Sequence, residues 1–152
     1  MVQAPPPRTA DQWAADKRIM PPSAPIPGPF NPDTNPYMRP VAWAFAQPCF
    51  SRVTFVMGTQ MGKSVTMENI IGHRLDEDPT PCLYVAPTKP LIDGTVEPKF
   101  MAMFGECESL AAKYEGRSTK TVKWLGGTKF RFAWAGSPTE LAADSAGLVM
   151  LD

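Results

Sequence analysis

The residues from Gly58 to Ser64 have the types and the spacing of a phosphate-binding loop. Three residues separate Gly58 from Gly62, and Lys63 and Ser64 follow directly. Small residues allow successive backbone amides to surround a phosphate group, and a helix that begins at the loop adds the positive end of its dipole. In such loops the lysine reaches the β- and γ-phosphates and the hydroxyl binds Mg²⁺. We therefore expect a nucleoside triphosphate to be bound by Gly58, Thr59, Gln60, Met61, Gly62, Lys63 and Ser64.

This loop departs from the usual eight-residue pattern. That pattern has a glycine at the position of Met57, whereas the first glycine here is Gly58. The alternative explanation is a chance Gly-Lys-Ser sequence. Against chance, a run of strand-forming residues, 53–57, precedes the loop, and a segment of helical period follows it. A phosphate-binding loop requires this succession of strand, loop and helix.

Asp152 is the second candidate for chemistry. It follows four apolar residues, 148–151, that predict a buried strand. A carboxylate at the carboxyl end of such a strand lies beside the phosphate-binding loop and holds Mg²⁺. Because any buried strand can end in aspartate, this assignment depends on the loop. With the loop present, we expect Ser64 and Asp152 to hold Mg²⁺, and Lys63 and Asp152 to be the catalytic residues.

Short apolar runs alternate with segments of helical period from residue 51 onwards. This alternation predicts an α/β fold with a parallel sheet flanked by helices. The expected strands are 53–57, 82–86 and 148–151. The expected helices are 63–76, two short pieces within 89–104 that Gly94 and Pro98 separate, and one near 106–114. The first of these helices has an apolar face formed by Met67, Ile70, Ile71 and Leu75.

A hairpin is predicted over residues 121–134, with its turn at Gly126-Gly127. A two-residue turn would place Lys129 opposite Trp124, whereas a three-residue loop with a bulge aligns Trp124 with Phe130. We favour the three-residue loop, because it keeps the aromatic side chains on one face. The other face then carries Lys123, Lys129 and Arg131. These residues are candidate DNA contacts through local charge, with an ordinary solvated face as the alternative.

The composition is that of one globular domain preceded by a proline-rich arm. Twelve of the eighteen prolines lie in the first 48 residues, where they exclude long helices and interior strands. We divide the 152-residue chain into an arm, residues 1–40, and a domain, residues 41–152. The arm is expected to be extended or partly disordered, apart from a short helix near 10–18. Fifteen basic residues balance fifteen acidic ones, so attraction to DNA requires a local basic patch.

Other residue types exclude several classes of protein. No apolar run is long enough to span a membrane. The cysteines Cys49, Cys82 and Cys107 show no Cys-x-x-Cys spacing, so we expect reduced thiols and neither a disulfide framework nor a zinc site. His73 is the lone histidine and lies away from the apolar helix face, which predicts a surface position and excludes a Ser-His-Asp triad.

Together these features resemble the large subunit of phage terminase, of the GpA type found in lambda-like phages. The resemblance is carried, in the family's order, by residues 56–64, Ile71-Gly72, Asp78-Pro79, residues 85–88, Gly126-Gly127, residues 136–141 and the apolar run into Asp152. It implies a P-loop ATPase fold of the additional-strand type, in which hydrolysis of ATP with Mg²⁺ drives viral DNA into a capsid. The implied partners are double-stranded DNA, the terminase small subunit, the capsid portal and further copies of the chain, in the cytoplasm of a bacterial host.

The resemblance also implies that these residues are the amino-terminal part of a longer protein. Family members continue into a nuclease domain, which is absent from these residues. We therefore expect an ATPase domain that is incomplete at its C-terminus and inactive by itself. Two alternatives stay open: a helicase-like DNA translocase with the same loop, and an inactive structural fragment whose proline-rich arm binds a partner.

Several individual roles also stay open. Gln47 is either an adenine contact or an ordinary solvated residue. The arginine that stabilises the transition state is Arg117, Arg131 or a residue from elsewhere, since the loop and the stretch 144–147 contain no arginine. Thr88 and Lys89, which follow the strand 82–86, either contact the DNA backbone or form the cap and first turn of a helix.

Overall fold

The computed structural model describes residues 7–142 and 145–152, so the first six residues of the predicted arm and Asp144 of the stretch 144–147 lie outside the described residues. The helices are α1 (Ala10–Lys17), α2 (Arg39–Phe45), α3 (Lys63–Asp76), α4 (Lys89–Leu91), α5 (Glu97–Glu106), α6 (Glu108–Lys113) and α7 (Pro138–Ala142). Two 3-10 turns span Pro32–Thr34 and Pro36–Met38, and a π-helical turn spans Ile92–Val96. The strands are β1 (Ile19–Met20), β2 (Gly28–Pro29), β3 (Cys82–Ala86), β4 (Val122–Leu125), β5 (Thr128–Trp134) and β6 (Leu148–Leu151). Among the described residues, no helix has the length and apolar character needed to cross a membrane.

The main sheet is mixed, with the strand order β4-β5-β3-β6. β3 pairs in parallel with β5 on one side and with β6 on the other, and β4 joins β5 as an antiparallel edge strand. The strands predicted over 82–86 and 148–151 are therefore confirmed. Parallel pairing brings the ends of β3, β5 and β6 together at one side of the sheet, which we call the carboxyl edge; it is formed by Ala86, Trp134 and Leu151. Open α/β sheets bind their ligands at this edge.

The strand predicted over residues 53–57 does not form. Val53, Phe55 and Met57 are half-buried, whereas Val56 is 93% exposed. This alternation places one side of an extended segment against the protein. The segment nevertheless pairs with no strand in the described part of the chain. A strand needs a neighbour that completes its backbone hydrogen bonds, and an apolar run in the sequence does not guarantee one.

The helix after the loop has the predicted bounds. α3 runs from Lys63 to Asp76. Its predicted apolar face is buried, with at most 2% of each residue exposed, and consists of Met67, Ile70, Ile71 and Leu75. These side chains share one hydrophobic cluster with Tyr84, Phe130 and Phe132 of the sheet. Burial of each large apolar side chain contributes about 1.5–3 kcal/mol, so the sheet fixes the position of α3 and of the loop that precedes it.

α1 is part of the core, although its residues fall within the predicted arm, 1–40. Its predicted position is confirmed, but Trp13 is fully buried and α1 packs along α3. Directly after α1, the Arg18 guanidinium is 3% exposed and donates hydrogen bonds to Glu68, Asn69 and the Val65 carbonyl. A buried charge is tolerated because it is paired. The N-terminal segment therefore holds the helix that follows the loop.

Gly72 of α3 leaves the space that the Trp13 indole occupies. A Cβ atom added at Gly72 would lie 2.5 Å from Trp13 Cη2. We expect Gly72→Ala to lower the free energy of unfolding by about 1–3 kcal/mol, because the core has no room for another carbon. Chemical denaturation measures the difference. Gly105→Ala in α5 is the matched control, since nothing lies within 4 Å of its added Cβ. An equal loss in both variants contradicts the packing argument.

The hairpin turns through two residues, so the three-residue loop that we favoured is wrong. Trp124 pairs with Lys129, and the glycines at 126 and 127 have φ values of 56° and 81°. Two consecutive positive φ values define a type I′ turn, which glycine adopts at little steric cost. Trp124 consequently does not share a face with Phe130. Its ring instead lies 3.9 Å from the Arg117 guanidinium.

Residues 89–106 form one continuous helical run instead of two separate pieces. α4 passes into the π-helical turn, and this turn passes into α5. At the junction the Glu97 N–H donates to the Ile92 carbonyl, five residues earlier. Pro98 lies in the first turn of α5, where a missing N–H costs little. The helix predicted near 106–114 is confirmed as α6.

His73 is half-buried, and the predicted surface position is wrong. Its side chain is 12% exposed, and its ring centroid lies 6.5 Å from that of Trp13. Burial lowers the pKa of His73, which favours the neutral ring at pH 7. The three cysteines are free, with Cys82 and Cys107 buried and Cys49 exposed.

Candidate phosphate site

Residues 58–62 form a loop that ends at the N-terminus of α3. Gln60 and Gly62 have φ values of 58° and 81°, in the left-handed region. The Gly62 carbonyl accepts hydrogen bonds from the backbone N–H and the hydroxyl of Thr66, both at 3.0 Å. The first turn of a helix has N–H groups without intrahelical partners and carries the positive end of the helix dipole. The loop therefore leads into a site that attracts an anion.

Gly62 also contacts the N-terminal segment. A Cβ atom added at Gly62 would lie 2.8 Å from Asn35 Nδ2, and the Tyr37 hydroxyl donates to Asn35 Oδ1 at 2.8 Å. The close contact and the positive φ both favour glycine at this position. The second glycine of the motif is thus required by the folded chain itself, and the segment around Asn35 lies against the loop.

Lys63 and Asp152 meet at the carboxyl edge, although they are far apart in the sequence. Lys63 Nζ lies 3.9 Å from Asp152 Oδ1, with 42% and 23% of the two side chains exposed. Solvent screens a pair of this exposure, so it adds little stability. The other carboxylate oxygen of Asp152, Oδ2, accepts a hydrogen bond from the Tyr84 hydroxyl at 2.8 Å. The structure therefore brings the two candidate catalytic residues together beside the loop.

The oxygen atoms of Ser64 and Asp152 are of the type that Mg²⁺ prefers. Ser64 is half-buried in the first turn of α3, directly after Lys63. Protein sites for Mg²⁺ commonly supply one or two oxygen ligands and leave the others to phosphate groups and water. Within the described residues, no group of three or more His, Cys, Asp or Glu side chains is placed to hold a metal ion. The hydroxyl of Ser64 and the carboxylate of Asp152 are the donors that would fit an ion whose other ligands are phosphate groups and water.

Comparison with known proteins identifies a family for the chain. The family model described as phage terminase large subunit gpA, ATPase domain, matches residues 24–152. The chain belongs to this terminase family. No curated protein and no solved structure matches the chain significantly. The terminase match includes the loop, α3, β3 and Asp152, and it also includes Asn35, which contacts the loop.

Thr88 and Lys89 of the terminase chain lie at the carboxyl edge, where they begin α4. The Thr88 hydroxyl accepts a hydrogen bond from the Leu91 N–H at 3.4 Å, which is the cap that the sequence offered as one of two explanations. Lys89 pairs with Asp93 at 2.5 Å, and Lys89 Nζ lies 5.8 Å from the centre of the Trp134 ring. Lys89 remains 46% exposed, so it is still accessible to a ligand at this edge.

The other candidate DNA contacts are not on one face with these residues. Lys123 has a side chain 4% exposed and pairs with Glu97 at 2.6 Å. Arg131 has a side chain 7% exposed and pairs with Glu140 at 2.9 Å. A DNA phosphate could reach neither cation without breaking an ion pair in which the cation is buried. Lys129 is half-buried near the start of β5. The start of β5 lies at the end of the sheet opposite the carboxyl edge, where Lys63 lies. The expectation that the hairpin gathers these three residues on one face is wrong, because it depended on the three-residue turn.

Neither arginine considered for the transition state lies beside Lys63 in the terminase chain. Arg131 is in register with Leu83, in the middle of the sheet. Arg117 stacks on Trp124, which pairs with Lys129 near the amino end of β5. That end is opposite the carboxyl edge. The structure therefore does not bring these arginines to the loop.

Gln47, the candidate adenine contact, lies just after α2. Its side-chain amide donates to the Trp43 carbonyl at 3.4 Å. The neighbouring Phe45 carbonyl accepts a hydrogen bond from Arg74, near the C-terminus of α3, at 2.9 Å. Because α3 is about 20 Å long and the loop is at its other end, this position does not favour an adenine contact.

The sequence did not point to Tyr84 as a residue of this site. Its position inside the buried strand β3 indicated a role in the core alone. A buried tyrosine hydroxyl normally has a hydrogen-bond partner, so a tyrosine within an otherwise apolar strand signals a polar group nearby. That this group is Asp152 follows only from the pairing of β3 with β6.

Proposed function

We propose that the chain binds ATP with Mg²⁺ at residues 58–64 and that hydrolysis of this ATP moves double-stranded DNA into a phage capsid. The observation that carries the proposal is the meeting of Lys63 and Asp152, 3.9 Å apart, at the end of the loop. A cation and a carboxylate at the N-terminus of a helix are the groups that a nucleoside triphosphate with its metal ion requires. Membership of the terminase large subunit family supports ATP and DNA packaging over a helicase-like activity.

Each residue has a distinct role in this proposal. The amides of residues 58–62 surround the phosphates, and Lys63 binds the γ-phosphate. Ser64 and Asp152 would hold Mg²⁺, which neutralises charge on the phosphates when it is bound. In hydrolysis, a water oxygen forms a bond to the γ-phosphorus while the bond to the bridging oxygen breaks, which yields ADP and inorganic phosphate and releases a proton of the water to solvent. Lys63 stabilises the charge on the γ-phosphoryl group as it is transferred to water.

The wider assignment rests on the family. DNA, the small subunit, the capsid portal and further copies of the chain are the partners that we propose. Thr88 and Lys89 are the candidate DNA contacts that the structure leaves accessible, because both are exposed at the carboxyl edge. The two alternatives are a helicase-like translocase and an inactive structural fragment. A nucleotide-binding experiment distinguishes an ATPase from the inactive fragment.

Titration with a fluorescent ATP analogue, with Mg²⁺ and with EDTA, tests the proposal. We expect Mg²⁺-dependent binding by the protein in its natural length, and about tenfold weaker binding in Asp152→Asn, because the variant loses the charge that holds the metal ion. Asp16→Asn is the matched control, since this carboxylate on α1 is 59% exposed. The proposal fails if the unchanged protein binds no nucleotide under either condition.

A further inference from the structure

Tyr84 is a polar residue inside an apolar strand, and its hydroxyl reaches the proposed metal ligand. The residue is 3% exposed, in the middle of β3. Its hydroxyl donates to Asp152 Oδ2 at 2.8 Å. The pairing of β3 with β6 produces this contact, because Val85 accepts a hydrogen bond from the Asp152 N–H at 3.0 Å at the end of the ladder.

The ring of Tyr84 is held by its neighbours. The ring centroid lies 5.6 Å from that of Phe100 and 6.3 Å from that of Phe132, both in edge-on arrangements. Close-packed interiors hold side chains in one rotamer, so the hydroxyl has a fixed position relative to β6.

The two oxygens of Asp152 consequently face different groups. Oδ2 is bound to Tyr84 at 2.8 Å, whereas Oδ1 lies 3.9 Å from Lys63 Nζ. A carboxylate held at one oxygen cannot rotate away from this orientation without losing that hydrogen bond. The contact thus selects the carboxylate orientation in which Oδ1 is directed to the loop.

We propose that Tyr84 is a positioning residue, which orients the Asp152 carboxylate so that Oδ1 is presented to the metal ion of bound Mg-ATP. This inference rests on the proposed function of the same site. Residues that hold a metal ligand in place typically contribute about 10- to 100-fold to metal affinity or activity. The competing explanation is that the hydroxyl only satisfies a buried polar group and that Asp152 is its nearest acceptor.

The variant Tyr84→Phe removes the hydroxyl and keeps the ring between Phe100 and Phe132. We expect the affinity for ATP in Mg²⁺ to fall about tenfold, and the affinity in EDTA to stay unchanged, because the loop amides and Lys63 remain. Tyr114→Phe is the matched control. It deletes the same atom from a half-buried tyrosine that packs on Phe104, and we expect its two affinities to equal those of the unchanged protein. Thermal unfolding checks that both variants keep the fold.

A double-variant cycle separates positioning from general packing. If Tyr84 acts through Asp152, adding Tyr84→Phe to Asp152→Asn should change the affinity for Mg-ATP less than twofold. A full tenfold loss in that background overturns the inference, as does an equal loss in Mg²⁺ and in EDTA, or unchanged Mg-ATP affinity in the single variant. Failure of the proposed function has a different result: the unchanged protein then binds no ATP with or without Mg²⁺, and the inference falls with it.

Discussion

Replacement of Lys63 by alanine is expected to lower ATP turnover by about 100- to 1,000-fold. Lys63 Nζ lies at the N-terminus of α3, 3.9 Å from Asp152 Oδ1. During hydrolysis, negative charge develops on the oxygens of the transferred phosphoryl group, and a cation fixed beside them stabilises this state more than the bound substrate. The alanine variant retains the loop backbone. Binding of ATP should therefore weaken less than turnover, by about tenfold.

The release of inorganic phosphate at saturating Mg-ATP, by the protein in its natural length, measures this effect. The Lys63 side chain is 42% exposed, so its removal should leave the unfolding transition nearly unchanged. Lys120→Ala is the matched control, because Lys120 is 60% exposed and precedes β4, the edge strand farthest from β6. Turnover that survives in Lys63→Ala and falls in Lys120→Ala would mean that the loop is not where the γ-phosphate reacts.

Local patterns in the sequence were sufficient to predict those helices and strands whose own apolar pattern defines their bounds. The bounds of α3 and β3 follow from an apolar face of helical period and from a short apolar run that ends at Pro87. The loop between strand formers and α3 also follows locally, because its glycines, lysine and serine are adjacent. The fold class was predictable for the same reason. Apolar runs that alternate with helical segments have few other ways to bury their faces.

Features that depend on distant residues were not predictable. The segment 53–57 has strand-forming residues but no partner strand among the described residues. The hairpin register depends on the turn. Positive φ values at 126 and 127 give a two-residue turn, so the prediction that the aromatic side chains share one face was wrong. The prolines of the arm predicted an extended or disordered segment. Trp13 is nevertheless buried, because Gly72 of α3 leaves space for its ring. Contacts such as Tyr84 with Asp152 arise from strand order, which the sequence pattern leaves open.

Loss of the Asp76 carboxylate is expected to have the largest effect on stability among the polar residues that join α1 to α3. Asp76 ends α3, and its side chain is 1% exposed. Its oxygens accept hydrogen bonds at 2.8 Å from Trp13 Nε1, at 2.9 Å from Lys17 and at 2.8 Å from Ser109, and also from Lys113 at 2.5 Å. These partners belong to α1 and α6, so one carboxylate joins three helices.

We expect Asp76→Ala to lower the free energy of unfolding by about 3 kcal/mol, because a buried donor and two ammonium groups lose their acceptor at once. Urea denaturation at pH 7 measures the change. Asp16→Ala on the exposed side of α1 is the matched control, with a carboxylate 59% exposed, and it should cost less than about 1 kcal/mol. Similar losses in the two variants would contradict the role of Asp76 as a junction between helices.

The same carboxylate predicts how stability depends on pH. Burial alone would raise the pKa of Asp76, but the hydrogen bonds from Lys113, Trp13 and Lys17 outweigh it and hold this pKa well below its usual range. In the unfolded chain an aspartate titrates near pH 3.9. The folded state therefore binds fewer protons than the unfolded state in acid, and the stability that Asp76 contributes is complete above about pH 5 and falls as the pH decreases. Asp76→Asn lacks this contribution, so its deficit relative to the unchanged protein should be largest at pH 7 and smaller at pH 3. A deficit that stays constant between these two pH values would show that packing, and not the charge of Asp76, holds α1 on α3.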